Sequence, residues 1–162
     1  MAKTDPIRPT DDEARALART LLDRAPFAAL GVLVEGAPLV TRIALFAPED
    51  GVPVTLVSRL STHTSALLEG QKVSLLVGEP GGKGDPLTHP RLSLQATADP
   101  VPREDPRFDA LSRAYVAARP KSKLYIGFAD FLLVRFLLEG ALLNGGFGAA
   151  FRLTPEDLMP RG

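Results

Sequence analysis

The chain has no cysteine. A disulfide, a thiolate-bound zinc and a cysteine nucleophile are therefore all excluded. Histidine is nearly absent as well. His63 and His89 are the 2 present, too few for a multi-histidine metal cage. Neither sign of charge is in excess: 19 Lys and Arg stand against 19 Asp and Glu. That balance removes any global pull toward nucleic acid or a membrane surface. A long apolar run is missing too. The most apolar stretch, FLLVRFLLEGALL at 131–143, carries Arg135 and Glu139 and is too short to cross a bilayer. It reads as a buried strand plus its return. The opening residues, MAKTDPIRPTDDE, contain no apolar signal-peptide core. A cytoplasmic protein with no membrane and no nucleic-acid partner is expected. No Ser-His-Asp grouping and no pair of carboxylates at a telling spacing can be placed.

What is present suits one domain over 1–162, with an apolar content of 45% to build its core. Thr10-Asp11-Asp12-Glu13 has capping-box spacing, and Ala14, Leu17, Ala18, Leu21 and Leu22 follow at helical intervals, predicting a helix over 10–25. Short strand patterns come next, at 27–34, 39–46 and 52–58, and are expected to form a meander. Alternation in the second puts Thr41, Ile43 and Leu45 on one face and Val40, Arg42, Ala44 and Phe46 on the other. Further strands are predicted at 72–79 and 91–99, a helix from Asp105-Pro106 to before Pro120, and closing strands in DFLLVRFLLEG and GFGAAFRL. This is an α+β pattern, mainly antiparallel. A small, nearly closed barrel would bury so many short strands without open edges.

The connection VSRLSTHTSALL at 57–68 is unusual, because it is dense in hydroxyls and carries Arg59 and His63. It lies between a strand and a short helix, where free backbone N–H groups attract anions. Taken alone, the loop reads first as a plain helix cap by Ser61 or Thr62; the surplus of donors among Ser58, Arg59, Ser61, His63 and Thr64 is what supports a phosphate site. Arg42 breaks an apolar strand, so it points either to solvent or to an anion at the barrel rim. GGKG at 81–84 lacks Walker spacing and reads as a mobile hairpin tip. NGGFG at 144–148 allows either a tight turn or close backbone approach to a planar ligand beside Phe147. Donors without acid–base groups suggest a cofactor that carries its own chemistry.

Taken together, SRLSTHT, GDPL and NGGFG, with the strands around them over roughly 15–155, resemble the pyridoxamine 5'-phosphate oxidase-like flavoproteins. The nearest branch is the one with the haem-utilisation proteins. The resemblance implies a split β-barrel of six or so antiparallel strands with flanking helices. It also implies a homodimer with FMN in clefts between subunits. Arg42 matches the phosphate-binding strand position, and Ser58, Arg59, Ser61, His63 and Thr64 fall in the phosphate loop. Gln95 matches the strand approaching the flavin, and Lys121 and Ser122 a segment reaching the partner's flavin; the backbone near Gly145 and Gly146 could touch the flavin ring or its ribityl chain. The oxidase itself has Arg-Lys where this chain has His63-Thr64, and its C-terminal substrate signature is missing. The implied function is an FMN-dependent oxidoreductase acting on an unidentified small molecule or electron donor. A haem- or tetrapyrrole-binding protein of the same fold and a non-catalytic flavin-binding module are the alternatives. No histidine follows His89, so weak haem binding is expected.

Overall fold

The computed structural model describes residues 5–146 and 148–161. A two-residue strand β1 (Ile7–Arg8) leads into helix α1 (Asp12–Arg24). The helix is capped by Asp11, whose side chain accepts from the Ala14 N–H at 2.8 Å. Thr10, expected to begin a capping box, instead donates its hydroxyl to the Arg152 carbonyl at 2.6 Å. Asp12 and Glu13 in the first turn and Arg24 in the last complement the helix dipole. Ala14, Ala18 and Leu22, four apart, press into the main core.

β2 (Phe27–Val34) and β3 (Ala37–Ala44) form a hairpin through Glu35 and Gly36, both at positive φ, the turn whose twist matches paired strands. The predicted facing of β3 is observed: Ile43 and Leu45 are buried, Val40 and Arg42 exposed. β4 (Val54–Ser58) does not continue a meander. It meets β3's extension at one bridge, Phe46–Val54, then pairs with β7 (Phe131–Asn144). All of Val54–Val57 is buried, so β4 needs neighbours on both faces, and β7 supplies its ladder. The remaining strands and α-helices are α2 (Thr64–Leu68), β5 (Lys72–Val77), β6 (Arg91–Val101), α3 (Phe108–Ala118), β8 (Ala150–Leu153) and α4 (Pro155–Leu158), with short 3-10 turns at Pro86–Thr88 and Pro120–Leu124. Pro106, predicted inside α3, lies in the turn before it, which Asp105 closes by accepting from the Phe108 N–H at 2.9 Å.

The sheet order is β1-β8-β7-β6-β5-β2-β3, with β4 on β7. Strands β3, β2, β5, β6, β7 and β4 thus wrap into a split barrel whose open seam lies between β3 and β4. Thr55 Oγ donates to the Ala44 carbonyl across that seam at 2.6 Å, and the Arg119 guanidinium donates to the Leu45 and Ala25 carbonyls beside it.

The segment predicted as a strand and its return is one strand, β7. Its Glu-Gly pair is a β-bulge, where the pairing slips between Gln95–Gly140 and Ala96–Leu138. A Cβ at Gly140 would lie 3.2 Å from the Leu153 carbonyl, so this glycine lets β8 approach. Both faces of β7 are apolar as expected, but over Leu132–Val134 one protomer covers both, while Leu137 further along is exposed. Leu132, Val134 and Phe136 fill the barrel, while Leu133 packs with Phe108 and Tyr115 of α3 in a second core.

Candidate functional site

β4 ends at Ser58, and the 58–63 loop folds back on residues 125–131. The Arg59 N–H donates to the Asp130 carbonyl at 2.7 Å, and Ser58 Oγ donates to the Asp130 carboxylate at 2.5 Å. The same Ser58 oxygen accepts from the Leu60 N–H. Thr64 is buried and donates its hydroxyl to the Ser58 carbonyl at 2.6 Å, and Ser65 donates to the Thr62 carbonyl. Much of the hydroxyl content that marked this loop is therefore spent on its own folding. α2 has only five residues, and no side chain caps it.

A cavity of about 320 Å³ opens beside this loop. Arg42, Ser58, Ser61, His63, Tyr125 and Phe131 line it. The structure brings four of the sequence-derived candidates, Arg42, Ser58, Ser61 and His63, into the lining of this one cavity. His63 is half-buried, and burial depresses its pKa below the ordinary 6.5, favouring neutral imidazole. Arg59 points to solvent. Asp130, Tyr125 and Phe131 were missed, because nothing in DFLLV shows that it meets a loop more than 70 residues earlier.

The other sequence-derived residues lie elsewhere. Gln95 is on the outer face of β6, opposite Ser74, in an open groove of about 470 Å³. Arg42 lies three strands and one pleat away in the register β3-β2-β5-β6. At about 4.8 Å between strands and about 3.3 Å per residue, their Cα atoms are roughly 16 Å apart. Ser122 is buried and donates to the Arg119 carbonyl at 2.6 Å, while Lys121 is exposed. Gly145 and Gly146 sit in the β7–β8 turn, near Leu17 and the Thr88 carbonyl, and Phe147 lies outside the described residues. One chain therefore does not gather the eleven candidates into a single site.

A larger cavity, about 610 Å³, lies on the other side of Arg42. Leu21 and Arg24 of α1, Phe27, Leu76, Pro80, Pro86 and Arg91 help to line it. The Arg42 guanidinium carbon lies 4.9 Å from the Phe27 ring centre, a cation–π contact, and its N–H groups make no hydrogen bond among the described residues. The wall is the 78–90 loop, which is tied rather than loose. His89 Nδ1 accepts from the Gly81 N–H at 2.7 Å, and Nε2 meets the Lys83 carbonyl at 2.7 Å. Neutral imidazole protonated on Nε2 satisfies both contacts. Gly78, at φ +100°, lets the two legs of the loop touch, since a Cβ there would lie 2.6 Å from the Pro90 carbonyl. No group of three or more His, Asp or Glu suited to a metal ion occurs among the described residues. No helix among them is long and apolar enough to cross a membrane.

A six-strand split barrel with a basic strand residue facing a strand-to-helix loop defines the class, and the chain has the pyridoxamine 5'-phosphate oxidase-like split-barrel fold, with similarity to haem-binding proteins of that fold. It is 30% identical over 117 residues to the non-canonical heme oxygenase HOZ, chloroplastic, of Arabidopsis thaliana, an alignment covering 72% of this chain and 35% of that one. The chain thus spans about a third of the length of that curated relative. The structure of a heme binding protein from Mycobacterium smegmatis is 26% identical, with a TM-score of 0.79, over 94% of this chain and 61% of that one. A general stress protein 26-related member of the pyridoxinephosphate oxidase family from Clostridium acetobutylicum shares the fold at 14% identity and a TM-score of 0.66, over 92% and 99% of the two chains. No protein-family model matches the chain.

Proposed function

We propose that this protein binds haem, with FMN as the second reading. The observation that carries this order is the fate of the loop hydroxyls. Ser58 and Thr64 are hydrogen-bonded within the chain, and Ser58 holds the Asp130 carboxylate beside the small cavity. A phosphate dianion there would lose two donors and gain a negative neighbour. Arg42 instead borders a mostly apolar cleft, the surroundings a tetrapyrrole with acidic side chains needs. The names of the Arabidopsis and mycobacterial relatives support the same order. Bound haem would supply iron redox chemistry. Arg42 would hold an acidic group, and His63 is the histidine whose ring nitrogens make no hydrogen bond among the described residues.

The FMN reading keeps specific support in Arg42, Ser61 and His63, which line one cavity. On that reading the chain is an oxidoreductase for a small molecule or a flavin-binding module, with Arg59, Gln95, Lys121, Ser122, Gly145 and Gly146 contributing from a second protomer or after rearrangement. A homodimer belongs to both readings. Its support is the outer sheet face, where Leu33, Val40, Leu76 and Leu142 are exposed. The test is parallel titration of the purified protein with haem, FMN and riboflavin, followed by absorbance. A stoichiometric Soret shift with weaker FMN binding is expected. Stoichiometric FMN binding, with riboflavin at least tenfold weaker and no Soret shift, would establish the second reading instead.

A further inference from the structure

Half of the 14 arginines are already partnered. Arg15, Arg19, Arg107, Arg135 and Arg161 pair with aspartates, and Arg103 and Arg119 are bound to main-chain carbonyls. Arg8, Arg59, Arg113 and Arg152 form no ion pair among the described residues either, but they are scattered, whereas the larger cleft gathers three. Arg24, Arg42 and Arg91 all line it, and none forms an ion pair among the described residues. They reach it from three separate elements: the last turn of α1, the outer face of β3 and the first residue of β6. Glu79 is the one carboxylate in the lining, and it too is without an ion pair among these residues.

Two of the three guanidiniums make contacts that do not neutralise them. Arg42 lies over the Phe27 ring, and Arg91 gives one N–H to the Leu87 carbonyl at 3.0 Å. Between them the surface is apolar, with Leu21, Phe27, Leu76 and Val77 beside Pro80 and Pro86. Cationic edges around an apolar floor match a flat hydrophobic body bearing more than one carboxylate.

We infer that this cleft is a dicarboxylate clamp for a porphyrin, with Arg24 and Arg91 acting beside Arg42 on the two acidic side chains. The inference rests on the haem reading above and assigns it a seat. It also separates the seat from the small cavity that holds His63. Binding then depends on carboxylates and does not require iron.

Metal-free deuteroporphyrin IX and its dimethyl ester provide the probes, with Soret absorbance as the readout. Wild-type protein should bind the diacid at least tenfold more tightly than the ester. Arg24→Gln and Arg91→Gln should each weaken the diacid roughly ten- to a hundredfold, the range of a charge-assisted hydrogen bond, and leave the ester unchanged. Arg24 makes no side-chain hydrogen bond among the described residues, so its replacement tests binding without risk to the fold. Arg113→Gln, on the exposed face of α3, should alter neither. Equal binding of diacid and ester, or full diacid affinity in the Arg24 and Arg91 variants, would overturn the clamp. Haem binding without any binding of the metal-free diacid would overturn the clamp while leaving the haem reading in place. Failure of haem and porphyrin alike would overturn both.

Discussion

At the scale of single residues, burial decides what the titratable groups do. Tyr115 is one of 2 tyrosines, and the chain has no tryptophan. Its ring is buried under α3, and the loss of water pushes its pKa up to about 12. Absorbance at 295 nm during an alkaline titration should therefore show a tyrosinate step near pH 12. In Tyr115→Phe that step should vanish. His63 gives the acid-side counterpart. Burial lowers its folded pKa below 6.5, so the unfolded chain takes up the proton first. Its contribution to stability is present above pH 6.5 and is lost as the pH falls through the folded pKa. Urea midpoints measured between pH 7.5 and 5 should fall less in His63→Gln than in wild type. Identical slopes would mean that the imidazole stays as accessible as in the unfolded chain.

The 78–90 loop poses the corresponding question for a whole element. His89 both accepts and donates in holding it. A glutamine can do the same with its amide, and alanine can do neither. His89→Ala should raise amide exchange at Gly81 and cleavage after Lys83 by about tenfold, while His89→Gln should stay near wild type. The sequence did not reveal this tie, because GGKG looks loose until the histidine that threads it is placed. The opposite holds for β2, whose ends at Phe27 and Val34 were readable from alternation and from the turn that follows. β4 shows the limit of such reading. Its buried run says that it is covered on both faces but does not say by which strand. The Glu-Gly pair in β7 misleads in the same way, since a bulge and a turn use the same residues. Arg42 was legible as a cation in an apolar strand. Arg24 and Arg91 were not, because cations at the ends of helices and strands are ordinary. Ser58 and Thr64 could be recognised as donors, but their acceptors are set by tertiary contacts.

For the whole molecule, the two-sided burial of β7 changes how assembly should be tested. From sequence, Val134→Asp or Phe136→Asp would be the natural way to break a dimer. Both side chains are fully buried in the barrel of one protomer. A charge there should cost on the order of 4–5 kcal/mol and unfold the chain. Val40 is 71% exposed on the outer sheet and Leu76 is 44% exposed. Val40→Asp with Leu76→Asp should leave the melting temperature within a few degrees of wild type and convert a dimer to a monomer by light scattering. An unchanged mass would exclude this face as the interface.

The pairing of β4 with β7 also bears on the order in which the chain can fold. Val54 faces Arg135, and Ser58 faces Phe131, so each pair joins residues more than 70 positions apart. Contacts of such sequence separation form late, because the intervening chain loses freedom before the ladder returns any stability. During synthesis, β2, β3 and β5 can pair as they emerge, yet Leu132, Val134 and Phe136 of the core arrive only with β7. Until then the apolar strand Val54–Ser58 has no ladder partner beyond the single bridge at Phe46. A ribosome-stalled chain ending before residue 131 should therefore expose that strand to chaperones and proteases, and protection should appear abruptly once β7 clears the exit tunnel.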